Sequence, residues 1–243
     1  MFHRYNMKDP FNEIRALANA SPSTEVCGFL LWDGRIEMSV SPAHNISDNP
    51  SEQVEIHPED TKNAYKSQRM LAIYHSHTVI SEPKFSEMDV AYSDTLDLPM
   101  FMYSLRTDSF YFYRSRESVP PLVGRQFIIG YSDCASLVTD YYLKNFAIRI
   151  PFVERTLESM RSGLAKTGDV LCNNGFQIVK GINDLKTGDI LAFKVGGSSD
   201  INHVGIHEGN GWLLHHPFNS SSLVTRIPSD WSSSMTVFRR ENL

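Results

Sequence analysis

His75-Ser76-His77 ends an apolar run, Leu71-Ala72-Ile73-Tyr74. Residues i and i+2 of a strand face the same way, so both imidazoles can turn toward one cation. Asp89 follows twelve residues after His77, in the first turn of a predicted helix. Two imidazoles and one carboxylate form a three-ligand set with a fourth position open, which is the donor set of a catalytic zinc site. Zinc lowers the pKa of water toward neutrality, and the reaction then needs a proton acceptor that is not itself a ligand. Glu25, opening another apolar run, is that candidate.

A second set of chemical groups lies further along. Cys134 stands at the start of a helix predicted over 133–146. Unpaired backbone N–H groups and the helix dipole at such a position favour thiolate over thiol. The predicted strand 202–207 carries His203 toward it. Glu208-Gly209-Asn210-Gly211 is a hairpin turn, and the returning strand carries His215 and His216. A two-residue turn at Gly209-Asn210 sets His203 opposite His216, whereas a three-residue loop over 208–210 sets it opposite His215. The turn alone leaves both open, and either supplies a base and a residue to orient it. Cys27, inside an apolar strand, and Cys172, with no histidine nearby, read as structural.

The elements that must position these groups fall into two halves. Ser118-Val119-Pro120-Pro121 is an extended, stiff connector. It divides the chain into domains 1–117 and 122–243, with a Pro-rich linker over 118–121. In the first half the periodicity predicts helices over 10–19 and 57–70, with a helix start at Ser86 carrying a hydroxyl cap and an acid three positions on. Strands are predicted over 25–32, 70–77, 99–105 and 110–113, and Asp33-Gly34 turns the first of them into a strand over 35–40. In the second half one helix precedes strands over 189–195, 202–207 and 211–216. Mixed elements in the first half and helix-then-sheet in the second make the chain α+β with two domains.

Composition bounds the rest. The chain has 243 residues, 41% of them hydrophobic and 21% charged, enough for buried cores. The net charge is −5, from 23 basic and 28 acidic residues, with no basic run. Nucleic acid is therefore not an expected partner. No apolar stretch is long enough for a membrane span. Met1–Asp9 lacks an apolar signal core, and three cysteines form no disulfide framework, so a reducing cytoplasm is expected.

Glu25-Val26-Cys27-Gly28-Phe29-Leu30, His75-Ser76-His77 and Ser86-Glu87-Met88-Asp89 together resemble the JAMM (MPN-domain) metallopeptidase signature. The resemblance implies an N-terminal α/β zinc domain in which His75, His77 and Asp89 bind Zn2+. It makes Glu25 the general base and gives Ser86 a share in stabilising the oxyanion. Two departures stand out: Thr78 replaces the usual proline, and the interval from His77 to Ser86 is one residue longer. Ser132-Asp133-Cys134-Ala135-Ser136-Leu137-Val138, Lys186-Thr187-Gly188-Asp189-Ile190-Leu191, His203-Val204-Gly205-Ile206 and Gly209-Asn210-Gly211-Trp212-Leu213-Leu214-His215 resemble the NlpC-type cysteine peptidases, which are papain-like in fold. That resemblance makes Cys134 the nucleophile and His203 the base. The twelve-residue step from His203 selects His215 as orienter, with His216 in reserve. Phe127 stands where many members carry a tyrosine.

A JAMM half followed by an NlpC-type half resembles the tail-tip assembly protein K family of long-tailed bacteriophages, and Pro121–Phe127 resembles the junction in that family. The combination implies a peptide hydrolase acting on peptidoglycan stem peptides by a Cys-His-His mechanism, with a second zinc-dependent peptidase or isopeptidase site. Other tail-tip proteins become expected partners, in the host cytoplasm during assembly or at the virion tail tip. The alternative is a structural assembly or plug protein whose sites are partly vestigial. A cellular wall-remodelling enzyme is disfavoured by the lack of an export signal.

Overall fold

The computed structural model describes residues 9–67, 69–162, 165–179 and 184–241. The Met1–Lys8 part of the N-terminal reading lies outside them. The chain divides into two compact units, Met1–Ser118 and Val119–Leu243. Both mix helices and sheet. Among the described residues no helix is long and apolar enough to cross a membrane.

The first unit begins with α1 (Pro10–Ala20), capped by the Asp9 carboxylate accepting from the N–H groups of Phe11 and Asn12. Pro10 fits the first helical position because its missing N–H would have no partner there. The buried stripe Phe11, Ile14 and Ala18 faces a five-stranded sheet. Its strands are β1 (Cys27–Trp32), β2 (Met38–Ala43), β3 (Met70–His77), β4 (Met100–Ser104) and β5 (Ser109–Tyr113), in the order β2-β1-β3-β4-β5. β3 and β4 run parallel, and the other neighbours are antiparallel. The remaining helices are α2 (Pro58–Lys66) and α3 (Glu87–Leu96). Cys27, Phe29, Ile73 and Met100 form the second core with Ile56 and Ala64. His75 and His77 continue the face that Ile73 begins.

Two expectations shift here. The hairpin after Trp32 is wider than Asp33-Gly34, because the Asp33 carboxylate accepts from the N–H groups of Arg35 and Glu37. The return strand therefore starts at Met38 rather than at 35. The helix expected over 57–70 stops at Lys66, where the Ser67 N–H and hydroxyl close on the Ala64 carbonyl. Gly28 is required by crowding: a Cβ there would lie 2.7 Å from the Tyr74 ring and against the Ser41 carbonyl.

The second unit is built on α4 (Cys134–Phe146), followed by α5 (Leu157–Ser162) and α6 (Ala165–Asn173). Its strands are β6 (Phe176–Val179), β7 (Ile190–Phe193), β8 (His203–Gly209), β9 (Trp212–His215), β10 (Leu223–Arg226) and β11 (Thr236–Arg240). They pair antiparallel in the order β10-β9-β8-β7-β11-β6. α4 is buried on nearly every side from Cys134 to Leu143, and its buried Asp140 is paired with Arg125 at 2.6 Å. Leu137, Val138 and Tyr142 pack with Ile190, Val204, Ile206 and Leu214 of the sheet. α5, α6, β6, β10 and β11 were not anticipated from periodicity.

The hairpin between β8 and β9 departs from both expected registers. Asn210 and Gly211 form the turn, both at positive φ (49° and 75°), as a two-residue type I′ turn demands. A bulge near Glu208 then shifts the ladder, so that Gly205, not His203, lies opposite His215. Gly205 is fixed by close approach: a Cβ would sit 2.8 Å from the Leu214 carbonyl oxygen.

Candidate active sites

In the first unit, β3 supplies His75 and His77, and the first turn of α3 supplies Asp89. One donor atom from each lies within 4.8 Å of the others. His75 Nε2 is 3.4 Å from Asp89 Oδ1, and His77 Nε2 is 3.6 Å from Asp89 Oδ2. His77 Nδ1 donates to the Glu82 carbonyl at 2.6 Å, which leaves Nε2 as a lone pair for the centre. His75 is buried, and its Nε2 has no hydrogen-bond partner among the described residues. A buried nitrogen without a partner is costly unless a ligand completes it. This orphaned nitrogen, one further imidazole and one carboxylate fit a borderline-soft divalent metal such as zinc.

Ser86 and Asp89 form a reciprocal capping box. Asp89 N–H donates to Ser86 Oγ at 3.1 Å, while the Ser86 N–H and hydroxyl both donate to Asp89 Oδ2 at 2.7 Å. Burial works against the Asp89 charge, but His77, His75 and the Ser86 donors hold its carboxyl well below the usual range. The Ser86 hydroxyl proton is thus engaged with a ligand. Glu25 precedes β1, buried, and accepts from the Ser81 hydroxyl at 3.1 Å. Burial pushes its carboxyl up to about 7, against the opposing pull of His77 and Ser81. The same burial, with a like-charged neighbour in His77, pushes His75 down to about 4.

In the second unit, Asp133 caps α4 and Cys134 is its first residue. The backbone N–H groups of Val204 and Ala135 face the sulfur, so the thiol lies against the residue next to His203. The expected thiolate is not the resting form. Burial, reinforced by the Asp133 carboxylate, pushes the Cys134 thiol up to about 12, over the opposing effect of the two N–H groups and Arg155. The dipole argument fails because Cys134 is only 1% exposed, and desolvation outweighs the helix terminus.

His203 Nε2 and His215 Nδ1 are 2.9 Å apart, and His215 Nε2 is 3.1 Å from Thr225 Oγ1. The shifted register still brings these histidines together, as diagonal neighbours on one sheet face. His216 is not part of this chain. Its Nε2 donates to the Ser220 carbonyl at 3.1 Å, and its ring meets Phe127 edge-on. Burial, with the neighbouring imidazoles, pushes His203 down to about 3 and His215 to about 4. Trp231 packs against both rings, with centroids 5.3 Å and 5.7 Å away.

Sequence reasoning missed Trp231, Thr225 and Arg155. Arg155 Nε donates to Asp133 Oδ2 at 2.7 Å, and its Nη2 donates to Ser136 Oγ at 2.7 Å. Asp133 also accepts from the N–H groups of Gly130 and Ser136. The one signal for Arg155 is indirect: a fully buried capping carboxylate requires a cation somewhere.

The family model of the NlpC/P60 family matches residues 124–240, and that of prokaryotic homologs of the JAB domain matches residues 7–114. The chain is 29% identical over 223 residues to the tail tip assembly protein K of Escherichia phage N15, covering 88% of this chain and 86% of that protein. It is 33% identical over 175 residues to the tail tip assembly protein K of Escherichia phage lambda, covering 72% of this chain and 83% of that one. Among solved structures, NlpC1 from Trichomonas vaginalis is 24% identical, covers 52% of this chain and 42% of its own, and has a TM-score of 0.37. The NlpC/p60 domain of the peptidoglycan hydrolase SagA is 20% identical, covers 44% of this chain and 75% of its own, and has a TM-score of 0.29.

Proposed function

The chain belongs to the tail tip assembly protein K family, and from that premise we propose that it both helps assemble a phage tail tip and hydrolyses peptide bonds of the peptidoglycan stem peptide. The hydrolytic domain spans 122–243, the zinc domain spans 1–117, and 118–121 joins them. The observation that carries the reading is the Thr225–His215–His203 chain of hydrogen bonds ending beside the residue that faces the Cys134 sulfur.

In this mechanism Cys134 is the nucleophile. His203 takes the thiol proton as the sulfur attacks the amide carbonyl carbon. The C–N bond breaks, and His203 gives that proton to the leaving amine. Water then attacks the thioester while His203 accepts its proton, the C–S bond breaks to release the acid, and the departing Cys134 sulfur takes that proton back. His215, anchored by Thr225, orients the base. Burial raises the thiol and lowers the imidazole, which favours the neutral pair before substrate arrives.

The first unit supports a second, zinc-dependent peptidase or isopeptidase site, with His75, His77 and Asp89 holding Zn2+. When bound, the metal supplies Lewis-acid polarisation and a more acidic water. Glu25, poised near neutrality, accepts and returns the proton. Ser86 fixes the carboxylate of Asp89. An oxyanion contact by Ser86 would require its hydroxyl to leave that carboxylate. Other tail-tip proteins are the assembly partners, met in the host cytoplasm.

Incubation with purified peptidoglycan, followed by mass identification of fragments, tests the hydrolysis. Stem-peptide fragments are expected from the wild type and from His77→Ala, and none from Cys134→Ala. Equal fragments from Cys134→Ala, or none from the wild type, refute the thiol mechanism. About one zinc per chain is expected, and His77→Ala loses it. A second reading, assembly without turnover, is favoured by the burial of Cys134. It predicts that phage carrying Cys134→Ala and His75→Ala still form infectious tails.

A further inference from the structure

The His75–His77–Asp89 centre sits in a groove of about 860 Å³, far more room than one ion and its water require. That volume lies toward the upper end of the roughly 300–1,000 Å³ typical of ligand sites. One wall is the 47–56 segment, and the other is the 80–92 segment that includes the start of α3. Its charge is lopsided. Among the described residues, Glu52, Glu55, Glu82, Glu87 and Asp89 line it, with Lys84 as the one lysine or arginine beside the two histidines. Arg106, outside the lining, reaches Glu82 at 3.5 Å and offsets part of that charge. Even with Arg106 counted and a divalent ion in place, the groove stays negative. Its walls are also greasy: Ile80 is 64% exposed and Met88 63%. Independently of the acidic rim, buried His75, whose Nε2 has no hydrogen-bond partner among the described residues, lines the same groove.

We propose that this groove binds an extended peptide segment carrying lysine or arginine among apolar residues, and lays it across the His75–His77–Asp89 centre. The cationic side chains reach the Glu52/Glu55 wall and the Glu87 end of α3, where a low-dielectric trough focuses the field of several carboxylates. The apolar side chains cover the exposed Ile80 and Met88 in the lining of the groove. Free metal ions or single amino acids leave most of the groove unfilled. The proposal rests on the reading of this centre as a peptide-hydrolysing zinc site, and specifies the substrate class that site selects.

Fluorescently labelled short peptides of leucine and alanine, differing only in whether lysine, glutamine or glutamate fills the polar positions, provide the probes. Anisotropy with the full chain is measured with and without zinc, at low and physiological salt. The lysine peptide is expected to bind at least about tenfold more tightly than the glutamine peptide. Salt should shrink that ratio, because a Debye length of about 8 Å screens an exposed rim. The pair of substitutions Glu55→Lys and Glu87→Lys is expected to transfer the preference to the glutamate peptide. Both side chains are exposed, and unchanged circular dichroism verifies the fold. Equal binding of lysine and glutamine peptides, or a preference that survives the double substitution, overturns the proposal. Zinc titration of the same samples separates the two layers. Zinc bound at His75, His77 and Asp89 without a lysine preference sinks the groove and spares the metal site. A lysine preference without zinc binding does the reverse.

Discussion

The buried histidine pair makes the second unit acid-sensitive by an amount that can be worked out. His203 and His215 are both buried, and burial pushes them to about 3 and about 4. In the unfolded chain each returns to about 6.5. Below that value the unfolded state takes up protons that the folded state refuses, so stability falls as pH drops from about 6.5 toward 4. Between pH 8 and pH 5 each imidazole costs about 2 kcal/mol, or about 4 kcal/mol for the pair. That is a large share of the roughly 5–15 kcal/mol that holds a domain together. Urea unfolding followed by tryptophan fluorescence measures it, because Trp212 and Trp231 lie in this unit. Trp32→Phe silences the first unit, where His75 titrates in the same direction. The double variant His203→Gln/His215→Gln should lose about 4 kcal/mol less than the wild type over that pH interval, whatever its stability at pH 8. Equal losses would mean that both rings titrate freely in the folded protein, and the dry, neutral base assigned to His203 would be wrong.

Three further outcomes follow from the same geometry. Arg155→Met strands the Asp133 carboxylate, which is fully buried; unfolding should show a loss of about 3–5 kcal/mol, and a loss under about 1 kcal/mol would discredit the pairing. Iodoacetamide at neutral pH should modify exposed Cys172 first, with Cys27 and Cys134 lagging because burial pushes both to about 12. Peptide mapping that found Cys134 fastest would point to a resting thiolate. Gly28→Ala forces its new methyl against Tyr74 on β3; a loss of about 1–3 kcal/mol and weaker zinc binding are expected, and an unchanged melting temperature would contradict the close packing.

The chemistry was legible in the sequence where it rides on local periodicity. An alternating strand puts His75 and His77 on one side without help from the rest of the fold, and the capping box at Ser86 is written in four consecutive residues. The Cys134 helix was also legible, since the spacing of Leu137, Val138, Tyr141 and Tyr142 is local. What stayed hidden depends on contacts between distant segments. The β8–β9 register turned on a bulge near Glu208, which shifts the ladder by one residue and leaves no mark in the hydrophobic pattern. The thiol's state turned on how completely the unit closes over it, so an argument from helix position alone gave the wrong protonation. Arg155, Thr225 and Trp231 reach their partners from segments without any motif. Periodicity also missed α5 and α6, where only short runs of apolar residues recur.

The order of strands in the second sheet has a bearing on synthesis. β11, the last of its strands along the chain, lies between β7 and β6. Until a ribosome has released residues 236–240, β6 has no neighbour to join and β7 lacks one side. The imidazoles of β8 and β9 meanwhile rest on a scaffold whose interior gap is open, and Trp231 has emerged only shortly before. A chain stopped near Met235 therefore keeps β7 to β10 as one ladder but lacks the strand that joins β6 to it.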